Sequence, residues 1–355
     1  MIDHLKQIHK ALGGLDASVI HIAGSKGKGT TATLLAKIIQ LHGKKVGLFT
    51  SPPILGVEEM ITIDGVRIKT LDLQHLFERI RDINPELSPF EEQTLAALLY
   101  FQENNCQFVV LECGWGGLND ATNIVETKLM TLLTHVELEH TEVLGATLEE
   151  ITKNKLGICR PEVPLITVPT QAEEVLDTIR AEGYEAMIAG AYDLGNHHPE
   201  SAGLAVMAAD LMGMSIDSVS QEELVNLVIP GRFEVLPFGV HTLILEGAHT
   251  YDSIEYFLER VNEFVWKHGF TEPYFGIHIL KDKRSDLWEL FPRARTVWVP
   301  IHDDRAGTKP DELNEKTVAE IFEQLRGATG PQLVVFCGSF KLVAEVKKAM
   351  AKTTP

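Results

Sequence analysis

Residues 18–31, Ser-Val-Ile-His-Ile-Ala-Gly-Ser-Lys-Gly-Lys-Gly-Thr-Thr, decide how the rest of the chain is read. An apolar run of strand length ends at Ala23, glycines at 24, 27 and 29 make a turn, and helical spacing begins at Thr30. Strand, glycine turn and helix in that order aim backbone N–H groups and the positive end of a helix at phosphate oxygens. Lys28 adds a point charge. The strict pattern GxxxxGK[ST] is not met, because Gly29 separates Lys28 from Thr30. Gly27-Lys28-Gly29-Thr30-Thr31-Ala32 also fits GxGxxA, the dinucleotide fingerprint, which wants an acidic residue about twenty positions on, at the end of the second strand. That strand ends in Phe49-Thr50-Ser51-Pro52, with no acid. A lysine inside the turn also suits a terminal phosphate better than a pyrophosphate packed on bare backbone. A glycine turn serving only chain reversal and a dinucleotide site stay as the two lesser alternatives. The reading is a nucleotide-phosphate loop built from Gly24, Gly27, Lys28, Gly29, Thr30 and Thr31.

Outward from this loop, runs of strand length alternate with helical stretches, the pattern of βα units around a mostly parallel sheet. SVIHIAG, KKVGLFTSP, CQFVVLECG and LMTLLTHV read as strands, residues 28–43, 71–84 and 88–104 as helices, and Asp64-Gly65 as a hairpin turn. VPLITV, a helix near 171–182 and YEAMIAG continue the series; AYDLGNHHPE interrupts it, and helices follow near 199–214 and 220–228. IPGRFEVL opens a second alternating block with HTLILEGA, EPYFGIHIL, TVWVPI and QLVVFCG as strands. At 355 residues two domains are expected. The boundary is placed after residue 228. The last residues, AKTTP, read as a frayed tail.

The chain carries 32 basic and 50 acidic residues, a net charge of −18, which opposes binding to nucleic acid or an anionic membrane. Small anions would need local basic pockets. Four cysteines lie far apart without CxxC spacing, which argues against zinc and disulfides. No stretch holds eighteen apolar residues and the N-terminus lacks a cleavage signature, so a cytoplasmic location is expected.

Glu112 ends the strand FVVLE and precedes a glycine-dense run, Cys113-Gly114-Trp115-Gly116-Gly117. In an open parallel sheet the carboxyl ends of strands line the ligand crevice, so Glu112, Ser51 and the phosphate loop should converge. A carboxylate and a hydroxyl beside a nucleotide are hard oxygen donors suited to Mg²⁺. His140 lies just past the next strand and Lys155 on a helix expected to start near Thr147. Taken alone they read as a loop histidine and an ordinary helix lysine.

Seven phrases now resemble a known family: GSKGKGT, TSPPI, LECGWGGLNDATNIV, ELEHTEVLGATLEEITKNKLGI, IPGRFEVL, LILEGAHTYDS and VVFCGSF. They follow the order seen in folylpolyglutamate and dihydrofolate synthases of the Mur ligase superfamily, over nearly the whole chain. The resemblance implies an α/β protein. Residues 1–228 would form a P-loop, Mur-ligase-like ATP-binding domain with a mostly parallel sheet, and 229–355 a smaller Rossmann-like C-terminal domain. It implies an ATP-dependent carbon–nitrogen ligase that joins L-glutamate to the carboxylate of a folate or of dihydropteroate through an acyl phosphate. Two Mg²⁺ sites are implied, one at Ser51 and Glu112 and one at His140 and a carbamylated Lys155. Lys28, His140, Lys155 and Arg232 would be catalytic. Asn123, Arg232, Glu246 and His249 would join the loop residues around ATP. A monomer is the family-like state.

The sequence departs from the family's usual phrases at several points. Glu246-Gly247-Ala248-His249-Thr250-Tyr251 replaces Asp-Gly-Ala-His-Asn-Pro, Glu139 replaces the aspartate before His140, Leu118 replaces an arginine and Pro53 a histidine. The stretch near 183–200 is shortened. These changes spare the phosphate apparatus, so a ligase with a non-folate carboxylate acceptor and a non-catalytic ATP-binding descendant remain the competing readings. Retention of Lys28, Glu112, His140, Lys155, Arg232 and His249 together argues against the second, since a mere binder has no need of a second metal site. Lys281, Asp282, Lys283 and Arg305 read either as a carboxylate site or as solvated loop charges. Trp115 reads as a lid or a packing residue, and Gly338-Ser339 as an anion site or a helix cap.

Overall fold

A computed structural model describes residues 2–353. The chain divides into two compact units, Met1–Leu227 and Val228–Pro355. Expected frayed at 351–355, the C-terminus is helical as far as Thr353; Thr354 and Pro355 lie outside the described residues.

In the first unit the strands are β1 (Ser18–Ala23), β2 (Val46–Phe49), β3 (Ile61–Ile63), β4 (Val66–Arg67), β5 (Phe108–Glu112), β6 (Met130–Leu133), β7 (Leu165–Thr167) and β8 (Ala186–Ile188). The helices are α1 (Ile2–Ala11), α2 (Lys28–Leu41), α3 (Thr70–Ile83), α4 (Pro89–Glu103), α5 (Thr141–Leu144), α6 (Leu148–Leu156), α7 (Glu173–Ala181), α8 (Pro199–Leu211) and α9 (Ser218–Val225). The strands form one sheet in the order β4-β3-β2-β5-β1-β6-β7-β8, with every pairing parallel except β2–β3 and β3–β4. The antiparallel edge comes from the hairpin at Asp64 and Gly65, whose φ of 50° and 77° are the left-handed pair such a turn demands.

Local signals set the helix starts. Ser88 caps α4 in a reciprocal box with Glu91, behind Pro89 at the first helical position, and Thr147 does the same for α6 with Glu150. Both faces of the sheet are covered, which explains the unbroken apolar strands. Val19, Val109, Leu111 and Phe49 pack with Leu95, Leu98 and Phe101 of α4. Against the β6–β7 end, Leu133 and Leu165 pack with Ile151 of α6 and Val175 of α7.

Register then positions the site. β1 lies between β5 and β6, with Ile22 opposite Glu112 and Ala23 opposite Leu133. The carboxyl ends of β1, β2, β5 and β6 therefore open on one edge of the sheet.

The second unit holds β9 (Glu234–Phe238), β10 (His241–Glu246), β11 (Tyr274–Ile277), β12 (Thr296–Trp298), β13 (Asn314–Glu315) and β14 (Leu333–Cys337), with α10 (Tyr251–His268), α11 (Val318–Arg326) and α12 (Phe340–Thr353). Its sheet runs β13-β12-β11-β14-β10-β9, parallel but for β9, which IPGRFEVL supplies as the antiparallel edge. Phe275, Ile277, Ile244 and Val335 pack with Ile254 and Phe257 of α10.

Candidate active site

The phosphate loop is held by its neighbour strand before any ligand is considered. Ser25 and Lys26 N–H groups donate to His135 O at 2.8 and 3.3 Å, and the Ser25 hydroxyl accepts from Glu137 N at 3.1 Å. Gly24 has φ +139°, and a Cβ there would sit 1.9 Å from Thr134 Oγ1, so no other residue fits between the strands. Gly27, in the left-handed region, precedes α2 and gives it no side-chain cap. An uncapped N-terminus with orphan N–H donors suits an anion. Lys28 folds back on this loop, its Nζ donating to Gly24 O at 2.9 Å and Ser25 O at 3.4 Å.

Glu112, at the end of β5, is 3% exposed. Its Oε2 accepts from Ser51 N at 2.9 Å, and a Cβ on Gly29 would lie 3.2 Å from the same oxygen. The loop backbone, Ser51 and Glu112 thus meet at one point. Among the described residues no three His, Cys, Asp or Glu side chains converge as a self-sufficient metal cage. One carboxylate beside a phosphate cradle nevertheless fits Mg²⁺, which usually takes one or two carboxylates and completes its shell with substrate phosphates and water.

Lys155 is fully buried, and its Nζ donates to Gly24 O at 3.0 Å and to Glu139 Oε1 at 2.7 Å. Burial pushes its pKa down, opposed by the Glu139 charge. Burial raises the Glu139 carboxyl, but Lys155 and Lys28 outweigh it and hold the group below its ordinary range. His140, exposed, sits in the left-handed region at φ 47° as the residue that starts α5. Its ring centroid lies 5.7 Å from that of Trp115. Lys155 and the phosphate loop are therefore in contact, while His140 stands one residue beyond the lysine's partner.

Asn123 is buried among protein partners. Its Nδ2 donates to Leu118 O at 3.2 Å and Gly157 O at 3.0 Å; its Oδ1 accepts from Lys128 at 2.8 Å and Arg160 at 2.9 Å. It ties the glycine-dense loop to the end of α6. Lys128 was invisible in the sequence as a site residue. Burial first, then Arg160, lowers its pKa to about 7. Also unforeseen is a buried chain behind Glu112. Thr122 Oγ1 donates to Asp120 at 2.5 Å and pairs with His21 Nε2 at 2.7 Å, and His21 Nε2 lies 3.2 Å from Cys113 Sγ. The signal available was Cys113 directly following Glu112.

In the second unit, the Arg232 guanidinium lies 4.5 Å over the Phe340 ring and 4.0 Å from Glu246 Oε1. Glu246 accepts from Phe233 N at 2.8 Å and Ala248 N at 3.0 Å, so its carboxylate pins the PGRF and EGAH turns together. Burial raises its pKa, with Arg232 and the backbone donors opposing. His249 Nδ1 is 2.8 Å from Gly247 O, and burial lowers its pKa to about 4, so the ring is neutral at physiological pH. Ser339 accepts from Leu342 N at 3.1 Å as a helix cap. Arg305 pairs with Asp282 at 2.7 Å, and Lys283 lies 3.7 Å from the same carboxylate.

Residues 22–236 match the Mur ligase middle domain. The dihydrofolate synthase/folylpolyglutamate synthase of Bacillus subtilis is 27% identical over 98% of this chain and 94% of that protein. The dihydrofolate synthetase of Saccharomyces cerevisiae is 30% identical over 95% of this chain and 73% of its own length. Among solved structures, E. coli FolC in complex with DHPP and ADP superposes with a TM-score of 0.84 at 25% identity, covering 99% of this chain and 92% of that one. Middle-domain match, full-length kinship and shared fold agree, and the chain belongs to the folylpolyglutamate synthase/dihydrofolate synthase family of Mur ligases, which are ATP-dependent amide-forming ligases.

Proposed function

We propose that this protein joins L-glutamate to the carboxylate of a pterin-bearing acceptor, dihydropteroate or a folate, at the expense of ATP. The observation that carries the reading is the meeting of the Glu112 carboxylate, Ser51 and Gly29 at the foot of an uncapped helix. That is an oxygen donor placed where a triphosphate would lie. Residues 1–228 are proposed as the ATP-binding domain and 229–355 as the Mur-type C-terminal domain.

In this reading Gly24, Gly27, Gly29, Thr30 and Thr31 cradle the β- and γ-phosphates with backbone N–H groups. Lys28 releases the Gly24 and Ser25 carbonyls and turns its charge to the transferring phosphoryl group. The acceptor carboxylate attacks that phosphorus in line, ADP leaves, and the amine of glutamate displaces phosphate from the acyl phosphate. Ser51 and Glu112 would hold Mg²⁺, which would neutralise the charge that spreads over the phosphoryl oxygens. A second Mg²⁺ at His140 and a carbamylated Lys155 belongs to the proposal. Burial of Lys155 supports it, since a lowered pKa leaves more of the neutral amine that reacts with carbon dioxide. The second unit would contribute Arg232 and His249 to the nucleotide, with Glu246 setting the turn that carries them. Asn123 acts by holding its loop. A cytoplasmic monomer is proposed; among the described residues no helix is long and apolar enough to cross a membrane.

The test is phosphate release by purified protein with ATP, Mg²⁺ and L-glutamate, comparing dihydropteroate, tetrahydrofolate and no acceptor, with Lys28→Ala as control. Acceptor-dependent release that the control abolishes is the expected result. ATP binding without release on any pterin would overturn the pterin assignment. A ¹³C signal from bicarbonate-derived carbamate, absent in Lys155→Arg, tests the modification.

A further inference from the structure

Trp115 is the one large aromatic in the glycine-dense loop that follows Glu112, and it is 47% exposed. Its backbone is fixed. Gly114 packs under Phe90, so closely that a Cβ would lie 2.6 Å from the ring, and Gly116, at φ +72°, would meet Asn154 Oδ1 at 2.6 Å. Trp115 N donates to Asp120 Oδ2 at 3.1 Å. The backbone that carries the indole is therefore fixed, and only two side-chain torsions need ordering when the ring stacks on a ligand. Its ring centroid lies 5.7 Å from that of His140, and His140 directly follows Glu139, the partner of Lys155, which in turn touches the phosphate loop.

We infer that Trp115 stacks on the aryl ring of an acceptor whose reacting carboxylate is attached directly to that ring, and so selects an arylcarboxylate over a glutamyl acceptor. The inference rests on the proposed function and narrows its substrate. In dihydropteroate the reacting carboxylate is one bond from an aromatic ring, so when the carboxylate reaches the phosphate loop the ring lies within a few ångströms of it. In a folate the reacting γ-carboxylate is separated from the ring by a flexible glutamyl chain. A ring-sized apolar face beside His140 then meets only methylene groups. Aromatic pairs gain attraction at centroid separations of roughly 4.5–7 Å, which the first acceptor can satisfy and the second does not need.

The test compares kcat/KM for dihydropteroate and for tetrahydrofolate in the wild-type protein, Trp115→Leu and Trp115→Phe. Wild type is expected to favour dihydropteroate. Trp115→Leu should lose about tenfold on dihydropteroate while tetrahydrofolate stays within about twofold, and Trp115→Phe should keep most of the preference because a ring remains. Dihydropteroate added with ADP should also quench indole fluorescence in wild type and much less in Trp115→Phe, a readout that does not depend on the leucine variant folding well. Equal losses on both acceptors, or an unchanged ratio with unchanged quenching, would overturn the inference while leaving the ligase reading intact. Wild type that uses neither acceptor would overturn both.

Discussion

Replacing Lys128 by methionine should change the pH dependence of stability in a calculable way. The side chain is 6% exposed, and its Nζ donates to Asn123 Oδ1 and, at 2.7 Å, to Ile158 O. Burial, then repulsion from Arg160, lowers its pKa from 10.5 to about 7; Cys113, Cys159 and Glu126 oppose the shift. Between those two values the unfolded chain holds a proton on this lysine that the folded chain lacks. Stability of the native protein therefore rises with pH across the window, by about 1.4 kcal/mol per pH unit and roughly 5 kcal/mol in all. Below pH 7 both states are protonated and the buried ammonium exerts its full penalty. Methionine removes the penalty but also removes two hydrogen bonds, each worth about 1.5–3 kcal/mol to a charged donor, so the two proteins should be of similar stability near neutrality. As pH rises the variant should fall behind. Urea unfolding at pH 7, 8, 9 and 10, followed by pulsed hydrogen exchange on peptides from β1 and β5, reads the first unit alone. A stability difference that does not move with pH, or that favours the variant as pH rises, would refute the reasoning.

Other outcomes follow from single contacts. Lys28→Ala should cut acceptor-dependent phosphate release by about 100-fold or more with little change in melting temperature, because among the described residues Lys28 bonds only to carbonyls of its own loop. Gly24→Ala places a Cβ 1.9 Å from Thr134 Oγ1 at φ +139°, and should destabilise the first unit by about 3 kcal/mol or more in denaturant titration. In protein whose Lys155 is not carbamylated, Glu139→Gln leaves the Lys155 ammonium buried with only neutral acceptors. Because the Glu139 side chain is 23% exposed, the loss should fall somewhat short of the 3–5 kcal/mol typical of a broken buried pair, about 2 kcal/mol by the same titration.

The sequence made β1, the glycine turn and α2 legible because a strand period, three glycines and a helix period abut without a gap. It made Ser51 and Glu112 neighbours through one topological rule, and the register of β2 against β5, with Phe49 opposite Leu111, delivers that. Other features depend on contacts distant in sequence. Lys128, between Thr127 and Leu129, carries no local mark of burial; its fate is set by Asn123 and the end of α6. Asn123 was legible as a site residue only by resemblance, and its four protein partners recast it as the clamp on its loop. The α1 helix and the antiparallel β9 edge are too short to declare a period in sequence, although IPGRFEVL marks where β9 begins.

Glu139 shows how a departure in sequence acquires meaning only through packing. On the page it is one methylene added to the usual aspartate before His140. In the fold that carboxylate meets the ammonium of Lys155, and the same ammonium donates to Gly24 O in the phosphate loop. A change in the reach of residue 139 is therefore felt at residue 24, more than a hundred positions away, through one buried nitrogen. It also sets the charge beside His140 and hence beside Trp115. In the proposed site Lys155 would link the acceptor end to the phosphate end, since it bonds both Glu139 and Gly24. This is why substitutions at Glu139 should alter both nucleotide affinity and acceptor kinetics, whereas substitutions at Trp115 should alter the acceptor alone.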